Sequence, residues 1–287
     1  MLRLFSRFLP AIAALIIVAV FQSCGSAKKS AAPSQSSVYG ATAEGSPDTK
    51  TLLANYSPNW EKIQLPLTLR LRQPKSISVS GTATFDRGNS LTISLRFPIL
   101  GEIGVVKLTP DSLLAIDKIN RKYIAEPLDG IVSGCPVSAA DIQNLLLGRP
   151  FLIGSSDPLG RMVGKFDIQP SPTSKPAWLM IPRVQPSAIE YGFSLDELCR
   201  LVSVAAKAGS REPVVATYAD PVSTAFGVFS STVSLSATVA KTPLDFSLEW
   251  NFSKAKWNSD VQPRSISVPK NYSRIPAASL MKLLPSL

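Results

Sequence analysis

Apolar and polar residues alternate with a period of two along most of the chain from residue 65 onward. Leu67, Leu69 and Leu71 lie between polar residues, and the same alternation recurs over 77–84 and 91–97. A period of two is typical of strands that bury one face. These three segments, joined by short turns, therefore predict an antiparallel meander. The same pattern predicts further strands at 103–109, 112–118, 121–125, 161–168, 177–182, 187–193, 213–219, 227–239 and 243–252.

One clear helical signal separates the two groups of strands. Ser138 and Asp141 have the spacing of a capping box, with Asp in place of the usual Glu or Gln. Gly148 and Pro150 supply a stop signal. The apolar stripe between these signals comprises Ile142, Leu145 and Leu146. We therefore predict a helix between Ser138 and Gly148.

Three further segments carry weaker signals. A shorter helix is predicted over 127–133. Residues 195–208 fit both a helix and a strand, and the β pattern on either side favours a strand. Gly81 stands on the apolar side of the second strand and predicts a bulge or a bend. Together the patterns predict a mainly β (α+β) protein with one large, curved antiparallel sheet and few helices.

The first 24 residues have the organisation of a bacterial lipoprotein signal. Arg3 and Arg7 precede an apolar run over 8–21. That run is shorter than the ~20 apolar residues of a transmembrane helix and fits the apolar region of a signal peptide. Cys24 follows the small residue Ser23 directly after the run, which resembles a lipobox whose cysteine becomes the lipidated first residue. The alternative is an ordinary secretory signal peptide with an incidental cysteine.

These features divide the chain into four parts: a signal peptide over 1–23, Cys24 with a flexible tether over 24–55, a folded domain over 56–276 and a tail over 277–287. The tether is rich in Ser, Ala, Gly and Thr, which is typical of flexible linkers. Neither an Asp beside Cys24 nor an acidic run follows the anchor. We therefore expect acyl chains such as palmitate to hold the protein at the periplasmic face of the outer membrane.

The composition excludes several function classes. The chain has no histidine, which excludes Ser-His-Asp and Cys-His nucleophile pairs and His-ligated zinc or haem. We therefore expect no metal and no cofactor. Thirty Lys and Arg against twenty Asp and Glu give a formal charge of +10. Because the basic residues are not clustered, we do not expect nucleic acid as a partner.

The carboxylates do not indicate catalysis. Asp86, Glu102, Asp111 and Asp117 could in principle pair as general acid and base, but they fall at predicted turns and strand ends. The segment 160–165 superficially resembles a phosphate-binding loop, but its first spacing is one residue too short and no Ser or Thr follows the lysine. We predict that it leads into a strand and that the protein is not an enzyme.

Two cysteines remain after Cys24. Cys135 and Cys199 could form a disulfide in the oxidising periplasm, or both could be buried free thiols. The sequence leaves both alternatives open.

A series of short motifs carries a family resemblance. Phe97–Glu102 reads Phe-Pro-Ile-Leu-Gly-Glu between two strands, and Thr109–Ser112 reads Thr-Pro-Asp-Ser. Gly134–Pro136 reads Gly-Cys-Pro, Leu145–Pro150 ends in Leu-Gly-Arg-Pro, and Val268–Tyr272 reads Val-Pro-Lys-Asn-Tyr. Their order resembles LolB, the outer-membrane receptor of the lipoprotein localisation pathway. It is more similar still to a family of outer-membrane lipoproteins that resemble LolB and LolA. The resemblance runs from about Tyr56 to Ile275.

The resemblance implies an unclosed β-barrel whose open side is covered by a helical lid. It also implies lipid binding in an apolar cavity, a LolA-like periplasmic carrier and lipoprotein cargo as partners, and insertion of that cargo into the outer membrane. We expect a monomer that also contacts membrane lipid through its acyl anchor.

Specific residues follow from the resemblance and the alternation. The resemblance implies that Leu100, flanked by Phe97 and Ile99, contacts the membrane, and the alternative is that Leu100 folds back onto the core. The inward positions of the strands and the lid helix predict a set of cavity residues, namely Leu69, Leu71, Val79, Ile93, Leu95, Leu145 and Leu146. A second hypothesis is a non-catalytic envelope scaffold, whose own side chains fill the core and whose free sheet edge binds a partner by strand addition.

Overall fold

The structure is a computed structural model that describes residues 47–56, 59–73, 76–128, 136–155, 157–173, 175–186, 189–207, 213–239, 242–262 and 264–277. The predicted signal peptide, Cys24, Cys135, most of the predicted helix over 127–133 and most of the predicted tail lie outside the described residues.

A short helix precedes the first strand. α1 (Thr49–Asn55) begins at Asp48, whose carboxylate accepts a hydrogen bond from the Lys50 amide at 3.0 Å. The helix buries Leu52, and Tyr56 directly after it is also buried. Regular structure therefore begins within the segment that the sequence predicts as a tether. Within this helix Leu52 is buried and Leu53 is partly buried against the core, and two adjacent apolar residues show no helical period in the sequence.

The first half of the sheet is a six-stranded antiparallel meander, in which each strand pairs with the next. The three strands predicted from the alternation begin it. Its members are β1 (Lys62–Gln73), β2 (Ile77–Asp86), β3 (Ser90–Phe97), β4 (Gly101–Leu108), β5 (Ser112–Asp117) and β6 (Lys122–Pro127).

Gly81 does not form the predicted bulge. β2 pairs with β1 and β3 without a register shift at this position. A Cβ atom on Gly81 would lie 2.4 Å from the carbonyl oxygen of Ser94, closer than any packed carbon can approach. Glycine is therefore required by a close backbone approach within a regular strand pair.

The second half of the sheet is a seven-stranded antiparallel meander. Its members are β7 (Phe166–Pro170), β8 (Trp178–Pro182), β9 (Glu190–Leu195), β10 (Leu201–Lys207), β11 (Val214–Thr224), β12 (Gly227–Val239) and β13 (Thr242–Trp250). The strand predicted within 195–208 is β10.

The predicted strand over 161–168 is partly wrong. Residues Leu159–Met162 form the short helix α3, Val163–Lys165 form a 3-10 turn, and β7 begins only at Phe166. Pro158, in extended backbone, starts the helical turn that buries Leu159 and Met162 three residues apart. Met162, Gly164 and Phe166 happen to imitate a period of two.

The two meanders join at the centre of the sheet, where β1 pairs antiparallel with β13 and Leu69 faces Leu248. Two short strands extend the sheet: β14 (Lys256–Trp257) pairs with the start of β1, and β15 (Ser273–Arg274) pairs in parallel with β6. The outer strands β15 and β7 are not paired with each other in the described sheet. The predicted fold class, a curved sheet forming an unclosed barrel, is confirmed.

The connection from β6 to β7 crosses from one edge of the sheet to the other. It carries α2 (Ala139–Leu147), the helix predicted from the capping box, and α3. The apolar side chains of α2, including Ile142, Leu145 and Leu146, are buried together with the apolar residues of both meanders in one core. We call α2 the lid helix, because it covers the inner face of the open sheet.

Candidate functional site

The start of the lid helix is tied to the chain that follows it. Ser138 Oγ accepts a hydrogen bond from the Asp141 amide at 3.2 Å, and Asp141 Oδ2 accepts from the Ser138 amide at 2.8 Å. Asp141 Oδ2 also accepts from the Gly154 amide at 2.9 Å. Burial raises the pKa of Asp141 to about 6, although these hydrogen bonds favour its charged form. The carboxyl thus fixes both the cap of the helix and the loop after it.

The last turn of the lid helix is held by two side chains of the sheet. Tyr218 Oη donates to the carbonyl oxygen of Leu145 at 2.8 Å, and Trp250 Nε1 donates to that of Leu146 at 3.0 Å. The final carbonyl groups of a helix lack full partners within the helix, and these side chains add donors there. The Leu145 oxygen also accepts from the Gly148 amide, at the longer distance of 3.4 Å. Burial raises the pKa of Tyr218 far above its usual value, and its hydroxyl stays a donor at all ordinary pH.

Gln143 fastens the middle of the lid helix to the β2–β3 turn. Its Nε2 donates to the carbonyl oxygens of Asp86 and Ser90, each at 2.8 Å. Its Oε1 accepts from the Gly88 amide at 2.9 Å. The buried amide of Gln143 thus has hydrogen-bond partners for both its nitrogen and its oxygen. These bonds link the lid helix to the β2–β3 hairpin.

A small apolar cavity lies between the lid helix and the second meander. Its volume is about 20 Å³, which is room for roughly one water molecule. The cavity lies beside two alanines of neighbouring strands, of which Ala206 pairs with Val214 and Ala216 pairs with Val204 and Leu235. The small side chains of these alanines leave the space unfilled. Its lining is Leu145, Phe151, Ile153, Ile189, Tyr191, Val204, Ala206, Val214, Ala216 and Leu235.

The predicted cavity residues are all buried in the common core, but most lie away from this cavity. Of the predicted set, Leu145 lines it. The others fill the space between the lid and the first meander, as members of one apolar cluster: Leu69, Leu71, Val79, Ile93, Leu95 and Leu146. The lining residues of β9 to β12 are missing from the predicted set. The alternation within their strands indicates that they face inward, but it does not indicate that they surround a cavity.

The β3–β4 loop projects apolar side chains outward. Ile99 is fully exposed and Leu100 is 48% exposed, whereas Phe97 at the end of β3 packs against the core. Leu100 therefore does not fold back onto the core. Ile99 has φ of 74°, in the left-handed region that β-branched residues rarely adopt. That backbone conformation costs about 1–2 kcal/mol, which the rest of the structure offsets.

Glu102 directly after this loop anchors the segment near the C-terminus of the described chain. Its carboxylate contacts Lys118 Nζ and Arg264 Nη1, each at 2.6 Å, and accepts from Ser94 Oγ. Burial raises its pKa, but the hydrogen bonds from Arg264, Lys118 and Ser94 outweigh burial and bring it to about 2.

The other carboxylates weighed as acid–base candidates are engaged in local turns. Asp117 accepts from the amides of Ile119 and Asn120, at 2.9 and 3.0 Å. Asp111 accepts from Thr109 Oγ1 at 2.7 Å, and Asp86 accepts from Asn89 Nδ2 at 3.2 Å. Each of these contacts stabilises a turn.

Cys199 is a buried free thiol. At this position the structure therefore favours a free thiol over a disulfide. Burial raises the pKa of this thiol.

Among the helices that the structure describes, none has the length and hydropathy of a transmembrane segment.

Comparison with known proteins gives distant structural matches. No family model matches the chain, and no curated protein matches it. An outer-membrane lipoprotein-sorting protein domain from Vibrio parahaemolyticus is 11% identical, covers 74% of this chain and 92% of its own, and superposes with a TM-score of 0.47. A LolA superfamily protein from Nitrosomonas europaea is 8% identical, covers 73% and 91%, and gives a TM-score of 0.46. A DUF1329 family protein from Desulfovibrio piger is 7% identical, covers 71% and 88%, and gives a TM-score of 0.49.

Proposed function

We propose that this protein is a lipid-anchored envelope protein that binds the acyl chains of lipids or lipoproteins between its curved sheet and its lid helix. The observation that carries this proposal is the apolar core between sheet and lid, with a cavity already present beside Leu145. Acyl chains suit such a site because each buried methylene contributes about 0.8 kcal/mol without directional bonds.

Binding requires the lid helix to move. Ligand pockets have volumes of about 300–1,000 Å³, whereas the apolar cavity has about 20 Å³. Displacing the end of the lid would break the bonds from Tyr218 and Trp250, each with a net contribution of about 1 kcal/mol. A few buried methylenes are enough to offset that loss.

The membrane role extends this proposal. Acylated Cys24 would hold the protein at the periplasmic face of the outer membrane, and Ile99 and Leu100 would contact lipid during delivery. A LolA-like carrier would supply the lipoprotein cargo. The exposure of both loop residues supports this role, since an apolar tip gains free energy only by leaving water.

The test is native mass spectrometry of the full chain, purified in a non-ionic detergent and incubated with dioctanoyl lipids or a lipopeptide. Ala206→Leu fills the apolar cavity and should abolish most of the bound lipid. Ala237→Leu makes the same change on β12 outside the cavity lining and should keep it. A mass increase equal to acyl chains on Cys24, lost in Cys24→Ser, would establish the anchor.

A filled core favours the second hypothesis, a non-catalytic scaffold. In the described conformation, the protein's own side chains occupy nearly all of the space under the lid. A wild-type chain that gains no mass from any added lipid or lipopeptide would overturn the carrier proposal and support the scaffold.

A further inference from the structure

A second and more polar pocket lies on the side of the lid helix that faces the β2–β3 turn. Its volume is about 410 Å³, within the range of small-ligand sites. Its lining includes Trp60, Arg87, Gln143, Asn144, Arg149 and Asp157. We call it the arginine pocket. Gln143 and Asn144 belong to the lid helix, so this pocket and the apolar cavity share that helix.

Arg149 provides a buried positive charge in this pocket. Its guanidinium stacks over the Tyr56 ring at 5.5 Å and the Phe229 ring at 5.1 Å. Burial, together with the nearby charge of Arg87, lowers the pKa of Arg149 to about 10, which still leaves it charged at neutral pH. A charge among aromatic rings acts in a low-dielectric environment, so its attraction for an anion is stronger than at the surface.

Arg87 and Trp60 add donors beside this charge. The guanidinium of Arg87, an exposed residue, lies 6.0 Å from the centre of the Trp60 ring. Trp60 is buried, and its Nε1 has no hydrogen-bond acceptor among the residues that the structure describes. A buried donor without an acceptor costs about 1–3 kcal/mol, which a bound ligand with acceptor oxygens would recover.

The charge balance of the arginine pocket selects an anion. Two arginines face one carboxylate in the described lining, that of Asp157, which also lies 3.9 Å from Arg161. Guanidinium groups bind phosphate through paired N–H donors, and the indole N–H supplies a further donor. A group with several acceptor oxygens and a full negative charge fits this donor set.

We propose that the arginine pocket binds a phosphate group through Arg87, Arg149 and Trp60. The phosphate comes from a phospholipid headgroup or from free phosphate. The headgroup source rests on the proposed function, because the acyl chains of that phospholipid would lie across the lid helix in the apolar core.

The experiment compares two lipids that differ only in phosphate. The full chain in a phosphate-free, non-ionic detergent is mixed with equal amounts of dioctanoylphosphatidic acid and dioctanoylglycerol, and bound lipid is measured by native mass spectrometry. Inorganic phosphate is titrated separately by calorimetry. We expect the phospholipid to be preferred about tenfold, the effect of one charge-assisted hydrogen bond. Arg87→Gln and Trp60→Phe should abolish that preference.

The control is Arg72→Gln, which removes an exposed arginine of β1 outside this pocket and should keep the preference. Equal binding of both lipids by the wild type, or an unchanged preference in both pocket variants, would overturn the phosphate site and leave the proposed function standing. Binding of inorganic phosphate that Arg87→Gln weakens, with neither lipid bound, would support the site with free phosphate as its source and overturn the proposed function. Binding of neither lipid nor phosphate would overturn both.

Discussion

Trp250 donates its indole hydrogen bond to the carbonyl oxygen of Leu146, 104 residues earlier, at 3.0 Å. Trp250 ends β13, the strand that joins the two meanders, and its ring packs edge-on against Phe85 of β2 at 5.7 Å. The same side chain therefore belongs to the rigid centre of the sheet and holds the last turn of the lid helix. Displacing that turn requires breaking this bond.

Removing the donors to the lid should loosen the lid without changing the sheet. Tyr218→Phe removes the shorter of the two hydrogen bonds to the Leu145 carbonyl oxygen and leaves the one from the Gly148 amide at 3.4 Å, which costs about 1 kcal/mol. We expect faster hydrogen exchange in a peptide covering 139–147 and unchanged exchange in β2 and β3. Tyr123→Phe, the same substitution on β6, is the control and should leave exchange over 139–147 unchanged. Equal exchange in the two variants would contradict the role of Tyr218.

We expect Ile99 in the β3–β4 loop to lower the stability of the protein and to strengthen its contact with a membrane. Ile99→Gly relieves the left-handed strain, so we expect the free energy of unfolding to rise by about 1 kcal/mol. The same variant should bind vesicles of phosphatidylethanolamine and phosphatidylglycerol more weakly in a flotation assay.

A control distinguishes membrane contact by this loop from a general effect of polar substitutions on the surface. Ile99→Asn should weaken vesicle binding, whereas Val184→Asn, at another apolar residue that is 81% exposed, should not. A loss of binding of the same size in both variants would show that the loop has no special role.

Asp141 should make stability fall as the pH rises from about 4 to 6. Its folded pKa of about 6 lies above the ordinary value of 3.8, so the native state binds the proton more tightly than the unfolded chain. The stability present below the unfolded pKa is therefore lost as the pH rises through the folded pKa, by about 3 kcal/mol. Urea unfolding at several pH values should show this slope in the wild type and its absence in Asp141→Asn. A parallel pH profile in both proteins would refute the assignment.

Glu102 should act in the opposite direction at lower pH. Its folded pKa of about 2 lies below 4.5, so the stabilisation that it provides is present at neutral pH and is lost as the pH falls from about 4.5 towards 2. Glu102→Gln should destabilise the protein at pH 7 and expose the segment around Arg264 to proteolysis. The difference from the wild type should vanish near pH 2, and a difference that persists there would exclude this mechanism.

Gly81→Ala should be strongly destabilising although it adds one methyl group. The Cβ would meet the Ser94 carbonyl oxygen at 2.4 Å, so two strands must separate locally, at a cost of about 3 kcal/mol. Gly164→Ala adds the same group where no atom lies within 4 Å and should leave the melting temperature unchanged or slightly raised. Similar melting temperatures for the two variants would show that the sheet can adapt.

The local parts of this fold are predictable because they rest on local patterns. The period of two locates most strands, and the spacing of Ser138 and Asp141 locates the lid helix. The partners Tyr218 and Trp250 are not predictable, because each lies more than 70 residues from the lid carbonyl that it binds. The role of Gly81 is also hidden in the sequence, since the Ser94 backbone that approaches it comes from the next strand.

The position of the apolar cavity also cannot be predicted from local sequence patterns. Ala206 and Ala216 look like ordinary strand residues, and the cavity forms where the pairing of their strands places both small side chains beside the same space. Register decides which residues meet, and the sequence alone does not determine register over several strands.

The pairing of β1 with β13 also has a consequence for the order in which the sheet can form. The two strands face each other across about 180 residues of chain, as in Leu69 and Leu248. If the protein crosses the inner membrane from its N-terminus, β1 emerges first and its partner nearly last. Each half then presents an unpaired strand edge, which is prone to intermolecular association. Non-local pairing of this kind slows folding, so we expect the yield of a chain exported in this way to depend on chaperones that shield β1 until β13 arrives.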